Sequence, residues 1–210
     1  MTTPRVTVID YGIGNLHSVV KALRHEGAEV TVTSDPRDVP AAERLVLPGV
    51  GAFADGMKGL TERGLVGPLR AYAETGRPLL GICLGMQLLL GESEEYGRHE
   101  GLGIVPGRVV EIRREAGFKV PQIGWNRIYP PNGKGWSGTP LGALEEGAMV
   151  YFVHSFTAVP DHEEHRLADS LYAGQRISAA VRRGNVWGCQ FHPEKSGTVG
   201  LAILRQFLAA

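Results

Sequence analysis

Short β-rich runs alternate with glycine turns and helical periodicity from Arg5 to Gly91, and this alternation restricts the architecture more than any other feature of the chain. "RVTVID" (Arg5–Asp10) predicts a strand that ends in the glycine turn "YGIGN", after which Leu16, Val19, Val20 and Leu23 repeat at helical spacing until Gly27 stops them. "AEVTVT" predicts a second strand and "RLVLPGVG" a third that runs into a glycine loop. "LVGPLRAYAETG" reads as a helix with a glycine stop, and "RPLLGIC" as a strand leading straight into "LGMQLLLG" as a helix. Strands and helices in alternation imply a parallel sheet covered on both faces, an α/β fold.

Beyond about Ile104 the texture changes. "GRVVEIRRE", "KVPQIGWNRIY" and "AMVYFVHSF" are strand-like, and "RISAAVRRGNVWGCQFHPE" has two β-rich arms around "RRGN", the pattern of a hairpin. Core strands of this kind predict that Ile123, Phe152 and Val153 are buried. The Gly/Pro-rich stretch from Pro130 to Gly147 predicts an exposed loop. "GTVGLAILRQFLA" closes the chain as a helix with Val199, Ala202, Ile203 and Leu204 on its apolar face. The expected fold is a mostly parallel central sheet flanked by helices with an antiparallel, hairpin-rich second half, in one domain over residues 1–210.

Bulk properties narrow the function classes. Lys plus Arg (22) equals Asp plus Glu (22), so net charge marks neither a nucleic-acid nor an anionic-membrane partner. The longest apolar run, Leu79 to Leu90, contains Gln87 and is too short to span a bilayer. "MTTPRVTVIDYG" has none of the parts of an export signal, and two distant cysteines make no disulfide framework, so a cytoplasmic setting with both thiols free is expected. "YGIGNL" has only two of the three glycines of a dinucleotide fingerprint, "HEEH" (His162, His165) lies in a charged turn-prone stretch, and no P-loop occurs. Neither a cofactor nor a metal is expected.

"GICLG" sets Cys83 between two glycines where a predicted strand becomes a predicted helix. This is the Gly-x-nucleophile-x-Gly pattern in the context it requires: the glycines permit a sharp turn and close backbone approach, so the central side chain stands out at the carboxyl end of the sheet. Helix-start dipoles there favour a thiolate. Taken alone, the pentapeptide suits a small buried core thiol equally well, and a nucleophile needs a base. "GCQFHPE" offers one. Along a strand over 187–192, Trp187, Cys189 and Phe191 share one face while Gly188, Gln190 and His192 share the other, so Cys189 faces away from His192. Pro193 biases His192 toward an extended conformation, which brings Glu194 out on the same side within reach of the imidazole. Cys83, His192 and Glu194 would then form a triad, with oxyanion donors from the amide of Leu84 and from the "LPGVG" loop at Val50 and Gly51.

The motifs "PGVG", "GICLGMQLL" and "FHPEKS", in this order, resemble the class I (triad-type) glutamine amidotransferases. Within that family, "VIDYGIGNLHSV", "EGLGIVPGRVV", "KVPQIGWN", "YFVHSF" and "FHPEKSGTVGLAILRQF" resemble the glutaminase subunits of imidazole glycerol phosphate synthases, over nearly the whole chain. The resemblance implies a flavodoxin-like fold and hydrolysis of L-glutamine to glutamate and ammonia through a γ-glutamyl thioester on Cys83, with His192 protonating the departing ammonia. It further implies a heterodimer with a (β/α)₈ cyclase subunit, to which ammonia passes through a channel for conversion of PRFAR to imidazole glycerol phosphate and AICAR. Gly49, Gly51, Gln87 and Glu95 match positions lining the glutamine pocket, and His154 and Ser155 match substrate-facing backbone. Trp125, Asn126, Tyr151 and Lys195 match positions near the partner. The family's dependence on its partner's ligand fits a "PGVG" amide that completes the oxyanion hole only in the complex. The chain departs from the pattern in a long Pro130 to Gly147 loop and in Cys189, where a small apolar residue is usual.

Two other readings compete. A glutaminase serving another synthase, such as that for pyridoxal phosphate, is opposed by the "DYGIGNL" opening and the "FHPEKSG" tail. A triad-bearing scaffold without turnover is opposed by the complete Cys-His-Glu set, and a peptidase-like relative by Glu95 with the other pocket positions.

Overall fold

The computed structural model describes residues 3–133 and 135–210; Met1, Thr2 and Lys134, on which the readings of the N-terminus and of the Pro130 loop partly fall, lie outside the described residues. In chain order the elements are β1 (Arg5–Ile9), α1 (Leu16–His25), β2 (Glu29–Thr33), β3 (Leu45–Gly49), α2 (Phe53–Glu62), α3 (Val66–Ala73), β4 (Leu79–Cys83) and α4 (Leu84–Leu88). Then follow β5 (Leu90–Ser93), β6 (His99–Glu100), β7 (Val105–Glu111), β8 (Gln122–Ile128), β9 (Ala148–His154), β10 (Phe156–Pro160), β11 (Arg166–Tyr172), β12 (Gln175–Arg183), β13 (Val186–Cys189) and α5 (Gly197–Ala209).

Seven strands form the central sheet, in the order β11-β12-β13-β4-β3-β1-β2. From β13 to β2 every neighbour is parallel, and β11 and β12 add an antiparallel edge. The α/β class and the mostly parallel sheet are as expected. A second sheet (β10-β7-β5-β6) and the β8–β9 hairpin supply the rest of the later strands. Alternate strand residues feed two apolar layers: Val6, Val8, Leu80 and Ile82 pack with α1 and α5 through Leu23, Leu204 and Phe207, whereas Ile9, Leu45 and Leu47 pack with α2 and α3 through Leu60 and Leu69. Every residue of β3 and β4 is buried, as the centre of a doubly covered parallel sheet requires.

Four expectations need correction. The helix read over "LGMQLLLG" ends at Leu88, and Leu90 opens β5. The carbonyls of Leu88, Leu89 and Leu90 accept the amides of Leu102, Val105 and Gly103, so pairing with a distant segment decides a leucine run that local periodicity leaves open. Helix α2 was not indicated, because Gly56 and Gly59 weaken its helical signal. Gly59 has a packing reason: a Cβ there would lie 2.5 Å from the carbonyl oxygen of Tyr11.

Ile123 is 63% exposed rather than buried, and Val153 is only half-buried, although Phe152 is fully buried. The β8–β9 hairpin covers the core with one face only, through Gln122, Ile128, Val150 and Phe152. Its other face, carrying the cross-strand pairs Ile123–Val153 and Trp125–Tyr151, points outward. Finally, the Pro130–Gly147 segment is not simply an exposed loop. Trp136 and Leu141 are buried in the α1/α5 layer, and the Trp136 indole donates to the carbonyl of Leu167 at 2.9 Å. Composition marks the turns of this segment but not the two anchors that hold it down. Trp136→Ala is expected to lower the free energy of unfolding by about 3–5 kcal/mol, as for a well-packed core aromatic. Chemical denaturation measures it, and a loss below about 1 kcal/mol would restore the simple surface-loop reading.

Candidate active site

Cys83 ends β4 and immediately precedes α4, with φ 55° and ψ −111°. A side chain rarely adopts positive φ, and holding one there costs on the order of 1–3 kcal/mol, which the surroundings must enforce. They do so by contact. A Cβ on Gly81 would come within 2.8 Å of the Gly85 backbone, and one on Gly85 would lie 1.8 Å from the Leu47 carbonyl oxygen. The two glycines of "GICLG" therefore let α4 lie directly on β3 and β4, and the turn between them lifts the Cys83 side chain to the carboxyl end of the sheet.

His192 arrives from the other side. β13 ends at Cys189, the Gln190 amide still pairs with Ala179, and the His192 amide leaves the ladder to donate to the Tyr151 carbonyl at 2.9 Å. Nδ1–H donates to Glu194 Oε1 at 2.7 Å, with both side chains almost wholly buried. Nε2 closes no hydrogen bond of normal geometry, and Cys83 lies on the same cavity. Burial disfavours the imidazolium, but the Cys83 sulfur and the Glu194 carboxylate outweigh it and raise the pKa from 6.5 to about 9. Cys189 meets the opposite environment. It sits with Trp187 and Phe191 in an apolar layer, on the other face from Gly188, and burial pushes its thiol pKa well above the ordinary value.

Cys83 and His192 share a cavity of about 290 Å³ with Val50, Gly51, Leu84, Gln87, Glu95, His154 and Ser155. Gly49 stands behind it, paired with Cys83 in register, and a Cβ there would fall 2.0 Å from the Tyr11 hydroxyl. Glu95 Oε2 accepts the Phe53 amide at 2.6 Å, capping α2 where Ala52 supplies no side-chain cap. Burial, reinforced by His192, lowers the His154 pKa to about 4 and leaves it neutral. Its one proton belongs on Nδ1, 2.8 Å from the Phe156 carbonyl, so Nε2 accepts, and the Gln122 amide 3.1 Å away must present its NH₂.

Of the four residues assigned to the partner side, Trp125 (52% exposed) and Tyr151 pack edge to face at 6.0 Å, and Lys195 is exposed just after Glu194. Asn126 lies on the opposite face of β8 from Trp125 and donates to the Leu171 carbonyl at 2.9 Å. His162 and His165 meet edge to face at 5.4 Å, and among the described residues no group of three or more His, Cys, Asp or Glu could hold a metal ion. Sequence reasoning missed Tyr11, Gln122 and Gln190. Only Gln190 left a signal, its shared strand face with His192.

An elbow cysteine beside a His–Glu pair in a cavity at the carboxyl end of a parallel sheet agrees with what family comparison gives. Residues 7–210 match the model of "Glutamine amidotransferase class-I", and the chain belongs to that family. Solved structures share the fold at low identity. One is PurLQS from Thermotoga maritima, with a TM-score of 0.75 and 21% identity over 99% of this chain and 98% of that one. Another is described as a glutamine amidotransferase, with a TM-score of 0.73 and 22% identity over 97% of each chain. The place within the family is narrower. The chain is 50% identical over 208 residues to imidazole glycerol phosphate synthase subunit HisH 1 of Legionella pneumophila (strain Lens), covering 97% of this chain and 98% of that protein. It is 49% identical over 207 residues to subunit HisH of Syntrophotalea carbinolica, covering 96% and 98%. It is thus a glutamine amidotransferase of the HisH group.

The strained turn at Cys83 predicts opposite effects on stability and activity. Cys83→Gly should be more stable than Cys83→Ala by about 1 kcal/mol in denaturant unfolding, because glycine relieves the positive φ, while both variants lack turnover. Equal stabilities would show that the turn is not strained.

Proposed function

We propose that this protein hydrolyses L-glutamine through a Cys83–His192–Glu194 triad and supplies the ammonia to a cyclase subunit of imidazole glycerol phosphate synthase in histidine biosynthesis. The observation that carries the reading is the buried His192–Glu194 pair beside an elbow cysteine, in a chain half identical to HisH subunits over nearly its whole length. Cys83, its proton passed to His192, attacks the side-chain amide carbon of glutamine. The resulting oxyanion is received by the amides of Leu84 and of the Val50–Gly51 turn. His192, kept protonated by its neighbours, gives its proton to the departing ammonia, and water drawn to the neutral imidazole then releases glutamate from the γ-glutamyl thioester. Glu194 holds the ring's orientation and supports its charge. Gly51, Gln87, Glu95, His154 and Ser155 form the walls that receive the rest of the amino acid, with Gly49 behind them.

The outward face of β8–β9 is the proposed seat of the cyclase subunit, a (β/α)₈ barrel. Ile123, Trp125 and Met149 are exposed there together, an apolar surface of the kind that marks an interface. Tyr151 belongs to the same face, and its carbonyl holds the His192 amide, so seating of the partner acts on the backbone of the base. Ammonia then passes to the partner, where PRFAR becomes imidazole glycerol phosphate and AICAR.

In the reconstituted complex, Cys83→Ala should abolish glutamine-dependent synthesis and leave ammonia-dependent synthesis intact; residual glutamine turnover would remove Cys83 from its role. The His192 pKa carries a second expectation. The imidazolium is the acid for ammonia departure and is present below its pKa, so kcat/KM should fall as pH rises through about 9. Glu194→Gln removes one of the two charges that raise that pKa, so the fall should move to lower pH. A limb that stays in place would show that Glu194 does not act on the base.

A further inference from the structure

We infer that Gln190 is a catalytic hydrogen-bond donor to the Cys83 sulfur, oriented for that purpose by Gln87. The inference rests on the reading of Cys83 as the nucleophile. Gln190 Nε2 lies 3.8 Å from Cys83 Sγ, within range of an N–H···S bond, and the residue is completely buried. An amide can present either its oxygen or its NH₂, so the question is which end faces the sulfur.

The answer follows from a carbonyl two residues away in the network. The Phe156 backbone oxygen can only accept, and Gln87 lies 3.2 Å from it, so Gln87 must present its NH₂ there. The second N–H of that same NH₂ meets Gln190 at 2.9 Å, which requires the Gln190 oxygen on that side. The NH₂ of Gln190 is left to face Cys83. Turning either amide over would set donor against donor or acceptor against acceptor in a buried place. The backbone is fixed too, since the Gln190 amide N–H donates to Ala179 at 2.9 Å.

The titratable groups around Cys83 give this donor its significance. His192 with Glu194 stands beside the sulfur, Tyr11 lies beneath the paired strand, Glu95 and His154 are across the cavity, and Cys189 is in the layer behind. Burial keeps the Tyr11 hydroxyl and the Cys189 thiol protonated and His154 neutral, so among these groups only His192 offers positive charge to a thiolate. Gln190 adds a second, neutral donor that needs no proton of its own. Gln87 also lines the cavity, so an occupant that presses on Gln87 reaches the sulfur through two amides.

The test reads the sulfur directly. Alkylation of the full-length chain by iodoacetamide is followed by peptide mass across a pH series, with buried Cys189 as the internal unreactive control. Gln190→Met keeps the volume and removes the donor. Gln190→Glu keeps the oxygen that Gln87 donates to and replaces the NH₂ with an acceptor. In both, the pH midpoint for Cys83 alkylation should rise by about one unit, the scale of one lost hydrogen bond to a charged group, with about tenfold slower labelling below it. A variant that loses glutaminase activity with its midpoint unmoved would show a merely structural role and overturn the inference while the triad stands. Glutamine turnover retained in Cys83→Ala would overturn the triad and this inference together.

Discussion

Where α4 crosses β3 there is no room for a methyl group. The Gly85 backbone rests on the Leu47 carbonyl, Gly81 lies under the same turn, and the strand-to-helix reversal has to be completed at Cys83 with a positive φ. Relaxing that contact would move α4 away from the sheet, let Cys83 fall back toward β-geometry and separate it from His192, whose position is set independently by β13 and by Tyr151. Parallel pairing of β4 with both β3 and β13 is what allows three chain segments far apart in sequence to end at the same edge. Ligand sites of open α/β sheets form at such an edge because helix starts and loop amides gather there.

The same sheet gives its two thiols opposite fates. Cys189 is enclosed by aromatic and aliphatic groups, where a thiolate has nothing to pair with. Cys83 lines the cavity and has an imidazole and an amide directed toward it. Burial without a partner keeps the Cys189 thiol protonated, and specific partners set Cys83 apart. His192 shows burial and partners in competition, since burial works against its charge and its Cys83 and Glu194 neighbours prevail. Gln190 directly follows Cys189 and His192 comes two residues later, and the alternation of side chains along this segment is what divides inert from reactive chemistry.

Much of this was legible in the order of residues. The alternation of strands and helices, the elbow around Cys83 and the parity of Cys189 against His192 all follow from local geometry, which is why the fold class and the grouping of Cys83, His192 and Glu194 could be read. What was not legible depends on distant partners. Leu90 joins a strand because Val105 is there to pair with it, and Trp136 is an anchor because Leu167 offers a carbonyl. Ile123 alternates like a buried strand residue, yet the hairpin has core on one side only. Glycines within α2 hid a helix in which Gly59 lies against the Tyr11 backbone and Gly56 against Leu88. The orientation of Gln190 required a network of three residues from three elements, which no single stretch of sequence contains.

The β8–β9 hairpin is fastened unevenly. At one end, the Tyr129–Asp169 backbone pair and the Ser170 hydroxyl, which donates to the Arg127 carbonyl, tie it to β11. At the other end, Gln122 bonds to His154 through side chains, and β9 runs through Ser155, whose carbonyl accepts the Ile112 amide, into β10. Mechanically this is a beam held at both ends, by the edge of the central sheet and by the second sheet. On the proposed seating of the partner, a load near Trp125 falls on the span between them, where the Tyr151 carbonyl accepts the His192 amide. Such a beam converts pressure spread over a broad face into a small displacement at one peptide.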